Sequence, residues 1–270
     1  MEKQIIKLWE QDVPGYIGGE IPMLTYYPTE NKLGKGTVVI CPGGGYCKRA
    51  PHEGEGYAKY LNSIGLDAFV VDYRVHPNHF PYPLLDARRA VRYVRENAEK
   101  YGIDPNKIAI MGSSAGGHLA ALTSTYRGVI DGEGVDALDS VDATPNAQIL
   151  CYPVIDFNGH NGSFIHLLGD KLEEMRDSVT PSLIADKDTP PAYIWHTAED
   201  TCVNILNTYD YVKALKKLSV PVELHVYPFG AHGLGLANEG GRTVPHVQSW
   251  APLMQEWLKL MGWIEMQEKC

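Results

Sequence analysis

Short runs that are apolar on most or all residues recur along this chain: TVVIC (37–41), AFVVDY (68–73), KIAIMG (107–112), AQILCY (147–152), AYIWH (192–196) and VELHVY (222–227). A strand with one wet face alternates apolar and polar residues, whereas an unbroken apolar run needs cover on both faces. The stretches between the runs supply that cover. Tyr57, Leu61 and Ile64 share one helical face; so do Leu84, Ala87, Val91 and Val94, then Tyr209, Val212, Leu215 and Leu218, and last Trp250, Met254, Trp257, Leu258 and Met261. This alternation predicts an α/β fold, a mostly parallel sheet with helices on both faces. Two N-terminal pieces, 3–9 and 22–27, read as antiparallel edge strands. Segments 127–146 and 156–190 are irregular and are expected to form loops or a small lid over a site at the carboxyl ends of the strands. No repeat or low-complexity linker divides the 270 residues, so one domain over 1–270 is expected.

Charge and cysteine usage narrow the partners. The net charge is −9 and basic residues are interspersed with acidic ones, which argues against a nucleic-acid surface. No run approaches the ~18 apolar residues of a membrane helix, and the start, MEKQIIKLWEQDVPGY, lacks the apolar core of an export signal. Cys41, Cys47, Cys151, Cys202 and Cys270 are odd in number and share no repeated spacing, so neither a disulfide framework nor a zinc site is expected. The reading is a cytoplasmic protein with free thiols, in which the Asn161-Gly-Ser sequon is a coincidence.

The chemistry concentrates in IMGSSAGGHLAALTS (110–124). Only one register fits Gly-x-Ser-x-Gly: Gly112, Ser113, Ser114, Ala115, Gly116. Ser113 has Met111 and Ala115 two places away and fails. Ser114 also lies where a strand run gives way to a helix pattern, the context of a nucleophile elbow. There the turn lifts the hydroxyl clear of the sheet, and residues two before and two after must be nearly free of side chain. On such a topology an acid should follow a late strand and a histidine the last strand. AYIWHTAEDTCVN offers Glu199 and Asp200, and VELHVYPFGAHGLGL offers His232 among small residues. In VVICPGGGYCKRA, Gly43 to Gly45 directly follow a central strand, where bare N–H groups can approach a developing oxyanion. Ala115 N–H would be a second donor. A phosphate-binding loop would instead end in Gly-Lys-Ser/Thr, and this one ends in Tyr46-Cys47-Lys48.

Taken together, CPGGGY, VVDYR, DPNKIAIMGSSAGGHLAA, CYPVID, HTAEDTCV and GAHGLGLA resemble α/β-hydrolase esterases, those related to acetyl-xylan esterases and to the hormone-sensitive-lipase-like branch. The resemblance runs from about residue 20 to residue 260. Lipase-type relatives carry His-Gly-Gly-Gly; Pro42-Gly43-Gly44-Gly45-Tyr46 looks instead like the sugar-acetyl esterase branch. The resemblance implies an α/β-hydrolase fold with a small lid or none, no cofactor and no metal. It implies hydrolysis of short acyl esters, typically acetyl groups on sugars. It selects Asp200 over Glu199, giving a Ser114–His232–Asp200 triad with Gly44, Gly45 and Ala115 around the oxyanion, and leaves open which of Gly43, Gly44 and Gly45 donates.

Tyr46, Tyr152 and Cys202 fall at strand ends and are candidates for the pocket wall, with core packing as the alternative for each. His52, His76, His79, His160 and His166 lack metal-ligand spacing and read as surface or loop residues. KLEEMRDSV (171–179) reads as a solvated helical face. The partner expected is a small ester, an acylated sugar by preference, with no nucleic acid and no membrane; the C-terminal stretch with Trp250, Trp257 and Trp263 reads as packing on the sheet, with a homodimer contact there as the alternative. The runner-up activity is an amidase or formamidase of the N-formylkynurenine type with the same triad. A ligand receptor on this fold would be expected to have lost a catalytic residue, and none is missing.

Overall fold

The computed structural model describes residues 2–10 and 12–265, so Cys270 lies outside the described residues. The apolar runs and the two N-terminal pieces become strands β1 (Gln4–Lys7), β2 (Met23–Tyr27), β3 (Thr37–Cys41), β4 (Asp67–Asp72), β5 (Ile108–Ser113), β6 (Ala147–Cys151), β7 (Ala192–Thr197) and β8 (Val222–Tyr227). Between and after them come helices α1 (Pro51–Ser63), α2 (Tyr82–Glu96), α3 (Ala98–Tyr101), α4 (Ser114–Thr125), α5 (Asn161–Leu168), α6 (Leu172–Met175), α7 (Pro181–Ile184), α8 (Leu206–Lys217) and α9 (Trp250–Leu260). The strands join in one sheet of order β1-β2-β4-β3-β5-β6-β7-β8. From β4 through β8 the pairs are parallel, while β1 and β2 add antiparallel. β1 is therefore an edge strand, as read, but β2 is paired on both sides.

Unbroken apolarity has a simple cause here. Alternate residues of β3 enter two separate cores: Val39 and Cys41 pack with α2, α4 and α8, and Val38 and Ile40 with α1 and α9. Trp250, Trp257 and Trp263 are at most 5% exposed, and Trp250 stacks on Trp195 at 5.0 Å. Those rings pack on the sheet, as read. On α8 the buried face is Asn207, Thr208, Tyr211 and Leu215, whereas Tyr209 is exposed, so the stripe read from the sequence is turned. The helix rotates to aim polar groups inward: Asn207 Oδ1 accepts from Ile155 N–H at 2.6 Å, and Thr208 Oγ1 lies 2.9 Å from His196 Nδ1.

The two irregular segments separate to opposite ends of the sheet. Segment 156–190 follows β6 at its carboxyl end and folds into α5, α6, α7 and 3₁₀ turns, with Glu173 and Asp177 solvated as expected of KLEEMRDSV. Segment 127–146 does not cover the site. It joins the end of α4 to the start of β6, which places it at the amino ends of the strands. There three arginines of α2 hold it: Arg88 pairs with Glu133, Arg89 with Asp136 and Asp139, and Arg92 with Glu133 and Asp139.

Arg89→Met should therefore lower stability by about 3 kcal/mol, the low end for breaking a buried ion pair because Asp136 is half-exposed. Turnover of the folded variant should stay within twofold of wild type. Urea unfolding alongside p-nitrophenyl acetate hydrolysis checks both; a large loss of turnover would return the segment to the site.

Candidate active site

Ser114 occupies a conformation L residues avoid, with φ at +53°. Its neighbours show what enforces the turn. A Cβ on Gly112 would lie 2.0 Å from Gly116 O, and one on Gly116 would lie 2.1 Å from Cys41 O. Strand, turn and helix touch backbone to backbone, and the hydroxyl is left at the amino end of α4, whose dipole favours negative charge. Ser113 is fully buried and turned away, its Oγ 2.8 Å from Tyr57 OH.

Three chain-distant side chains meet in line. His232 Nε2 is 2.8 Å from Ser114 Oγ, and His232 Nδ1 is 2.6 Å from Asp200 Oδ2. Glu199 does not reach the ring; its Oε2 accepts from Gly230 N–H at 2.8 Å and holds the start of the histidine loop. Asp200 is heavily bonded. Its Oδ1 accepts from the N–H groups of Cys202 and Val203, both at 2.9 Å. Its Oδ2 also faces His196 Nε2 at 3.3 Å. His196 is fully buried, and its Nε2 lies 3.1 Å from Val203 O, an acceptor only, so that nitrogen carries the proton and Nδ1 accepts from Thr208. Burial alone would raise the Asp200 pKa. The hydrogen bonds from His196 and His232, the His232 charge and Val203 N–H outweigh it and hold the carboxyl well below the usual range.

The glycine loop is sorted by its hydrogen bonds. Gly43 N–H donates to Glu53 Oε2 at 2.8 Å, so it is engaged elsewhere. Among the described residues Gly44 and Gly45 N–H have no protein acceptor. Ala115 N–H lies in the first turn of α4, where no helical acceptor exists. Gly44 has φ +134°, and a Cβ there would sit 2.3 Å from Lys48 O. His166 Nδ1 donates to Gly45 O at 2.8 Å and fixes the loop from the α5 side.

Two of the expected pocket residues turn inward instead. Tyr46 is 1% and Tyr152 2% exposed. Tyr46 OH donates to His118 Nδ1 at 2.8 Å, and His118 Nε2 donates to Val179 O at 2.8 Å, which ties the glycine loop through α4 to the segment before α7. Tyr152 backs the histidine, its ring 5.1 Å from His232. Their phenols are amphipathic enough to read as wall residues, but each hydroxyl finds a buried partner. Cys202 does reach the surface beside Asp200, with its thiol pKa raised by burial and by that carboxylate. The other histidines divide. His160 caps α5 by accepting from Ser163 N–H, His52 and His166 lie on α1 and α5 rather than on loops, and the rings of His79 and His166 stand 5.4 and 5.5 Å from that of His76. Glu53, His118 and His196 went unmarked in the sequence; only the last had a visible cue, a polar residue ending an apolar strand four before the acid.

Two measurements test this geometry. Asp200→Asn should lower kcat by about 10⁴-fold, since the ring would lose its tautomer and orientation, while Glu199→Gln should cost under tenfold; the reverse ranking would reassign the acid. Burial pushes the His118 pKa down from 6.5 to about 4. Between those values the unfolded chain takes up the proton first, so stability is full above pH ~6.5 and falls by about 3 kcal/mol as pH drops to about 4. Urea midpoints across that range should be less steep in His118→Gln than in wild type.

Comparison with known proteins agrees with the fold. The BD-FAE family profile matches residues 23–215. The chain is 35% identical over 243 residues to endo-1,4-beta-xylanase B of Butyrivibrio fibrisolvens, covering 86% of this chain and 38% of that protein. It is 33% identical over 231 residues to the acetylxylan esterase of Xylanibacter ruminicola, covering 82% and 45%. The chain thus spans less than half the length of either relative. The crystal structure of an acetyl ester-xyloside bifunctional hydrolase from Caldicellulosiruptor lactoaceticus superposes with a TM-score of 0.90 at 40% identity, covering 97% of both chains. The chain belongs to the BD-FAE family of α/β-hydrolases.

Proposed function

We propose that this chain removes short acyl groups, acetyl foremost, from carbohydrate hydroxyls such as those of acetylated xylo-oligosaccharides, through an acyl-enzyme on Ser114. The observation that carries the reading is the line from Ser114 Oγ through His232 to Asp200, with the amides of Gly44, Gly45 and Ala115 unengaged among the described residues. Ser114 Oγ attacks the ester carbonyl while His232 Nε2 takes its proton. The amides receive the oxyanion, each worth roughly 3 kcal/mol in the transition state. Collapse expels the sugar alkoxide, which leaves with the proton from His232. Water, deprotonated by the same nitrogen, then releases acetate and restores Ser114.

A sugar leaving group is supported by the names of the relatives, and beside the glycine loop opens a cleft of mixed polarity. It begins directly after the glycine loop, has a volume of about 670 Å³, and is lined by Lys48, Arg49, Asp72, His76 and Asn78 among others. A cytoplasmic location belongs to the same proposal. It is supported by the four cysteines among the described residues, all free thiols, which suit a reducing compartment. Among the described residues no helix is long and apolar enough to cross a membrane.

Acetate release from acetylated xylo-oligosaccharides should be seen with wild type and be lost in Ser114→Ala at unchanged melting temperature. Cleavage of p-nitrophenyl acetate without release from the sugars would keep the esterase and discard the glycan. Faster turnover of an anilide than of the matched ester would favour the formamidase reading.

A further inference from the structure

We propose that Glu53 is a positioning residue whose buried carboxylate sets the spacing between the oxyanion loop and the loop carrying His232. The proposal rests on the esterase reading but not on the sugar. Glu53 stands in the first turn of α1, 3% exposed, and no lysine or arginine pairs with it among the described residues. The helix amino terminus offsets part of the cost of burying its charge. Each oxygen has its own task. Oε2 accepts from Gly43 N–H at 2.8 Å, and Oε1 accepts from Tyr152 OH at 2.7 Å. Tyr152 oxygen in turn accepts from Gly235 N–H at 2.9 Å, three residues beyond His232. The adjacent His52 Nε2 donates to Gly233 O at 3.0 Å, so the first turn of α1 grips the histidine loop on both sides of Leu234, through Gly233 and Gly235.

The carboxylate is close enough to matter geometrically. A Cβ on Gly43 would lie 2.5 Å from Glu53 Oε2, 2.6 Å from Ser113 O and 3.1 Å from Ser114 Cβ. Loop, carboxylate and elbow are therefore in mutual contact. A shift of Gly43 displaces the free amides of Gly44 and Gly45 relative to Ser114, and a shift of Gly235 displaces His232. Glu53 touches no reacting atom; it acts through the two loops. Misplacement on the order of 1 Å costs about 100-fold in rate, whereas substrate binding in the ground state needs neither loop at that accuracy.

The test is Glu53→Met, which keeps the volume and removes both acceptors, set against Glu53→Gln. The glutamine can keep every bond: its oxygen accepts from Gly43 N–H, its NH₂ donates to Tyr152, and Tyr152 OH turns toward Tyr57, 3.2 Å away. With p-nitrophenyl acetate, Glu53→Met should lose about 100-fold in kcat with KM within threefold, and Glu53→Gln should recover to within tenfold of wild type. Labelling of Ser114 by a fluorophosphonate should rank the variants in the same order without reference to any ester. If Glu53→Met does not fold, Tyr152→Phe decides, since it keeps the ring against His232 and removes only the hydroxyl; a tenfold loss in kcat is expected. Folded variants that hold wild-type kcat and labelling rate, or that lose KM and kcat together with melting temperature and are not rescued by glutamine, would overturn the proposal. Absence of wild-type ester turnover with normal, variant-sensitive labelling would overturn the esterase reading alone.

Discussion

Everything at this site depends on one backbone contact. At the end of β5 the chain reverses into α4 so closely that Gly116 leaves no room for a methyl group beside Cys41 O. That approach forces Ser114 to positive φ and fixes where its hydroxyl stands. It also brings the end of β3, and so the glycine loop, against the nucleophile. Attack and charge stabilisation are thus placed by the same steric fact, before any side-chain interaction is counted. Hydrogen bonds then refine positions that packing has already selected to within about an ångström.

The polar groups around the triad form two buried systems. One surrounds Asp200, whose oxygens together receive two backbone amides and face two histidines. A carboxylate so fully solvated by protein stays ionised and cannot turn away from the ring. The other runs from Gly43 through Glu53, Tyr152 and Tyr57 to Ser113. Partly satisfied buried networks are costly, and complete ones hold a unique geometry. Both systems here are closed by donors and acceptors from distant parts of the chain.

That distance explains what the sequence could and could not disclose. Ser114 was legible because an elbow constrains residues two places away, and His232 and the Glu199-Asp200 pair because chain order maps onto strand order; the choice of Asp200 within that pair came from the family resemblance. The two-faced sheet was legible because alternate residues of β3 feed separate cores. Tyr46 and Tyr152 were not, because whether a phenol faces a pocket or a buried partner depends on His118 and Glu53, 72 and 99 residues away in sequence. The turn of α8 escaped for a related reason: a buried Thr208 is invisible to a count of apolar residues until His196 is beside it. Segment 127–146 was misplaced because irregularity alone does not say at which end of the sheet a connection lies.

The placement of that segment has a practical side. The arginines of α2 clamp a connection of some twenty residues against the face of the molecule remote from the chemistry. Val129, at its start, is 91% exposed and makes no core contact. Surface connections of this kind accept insertions when the backbone they interrupt is not itself bonded into the fold. Residue 129 itself thus offers an exposed attachment point for a fluorophore, an affinity tag or a carbohydrate-binding module, with the length of the parallel strands between the graft and Ser114.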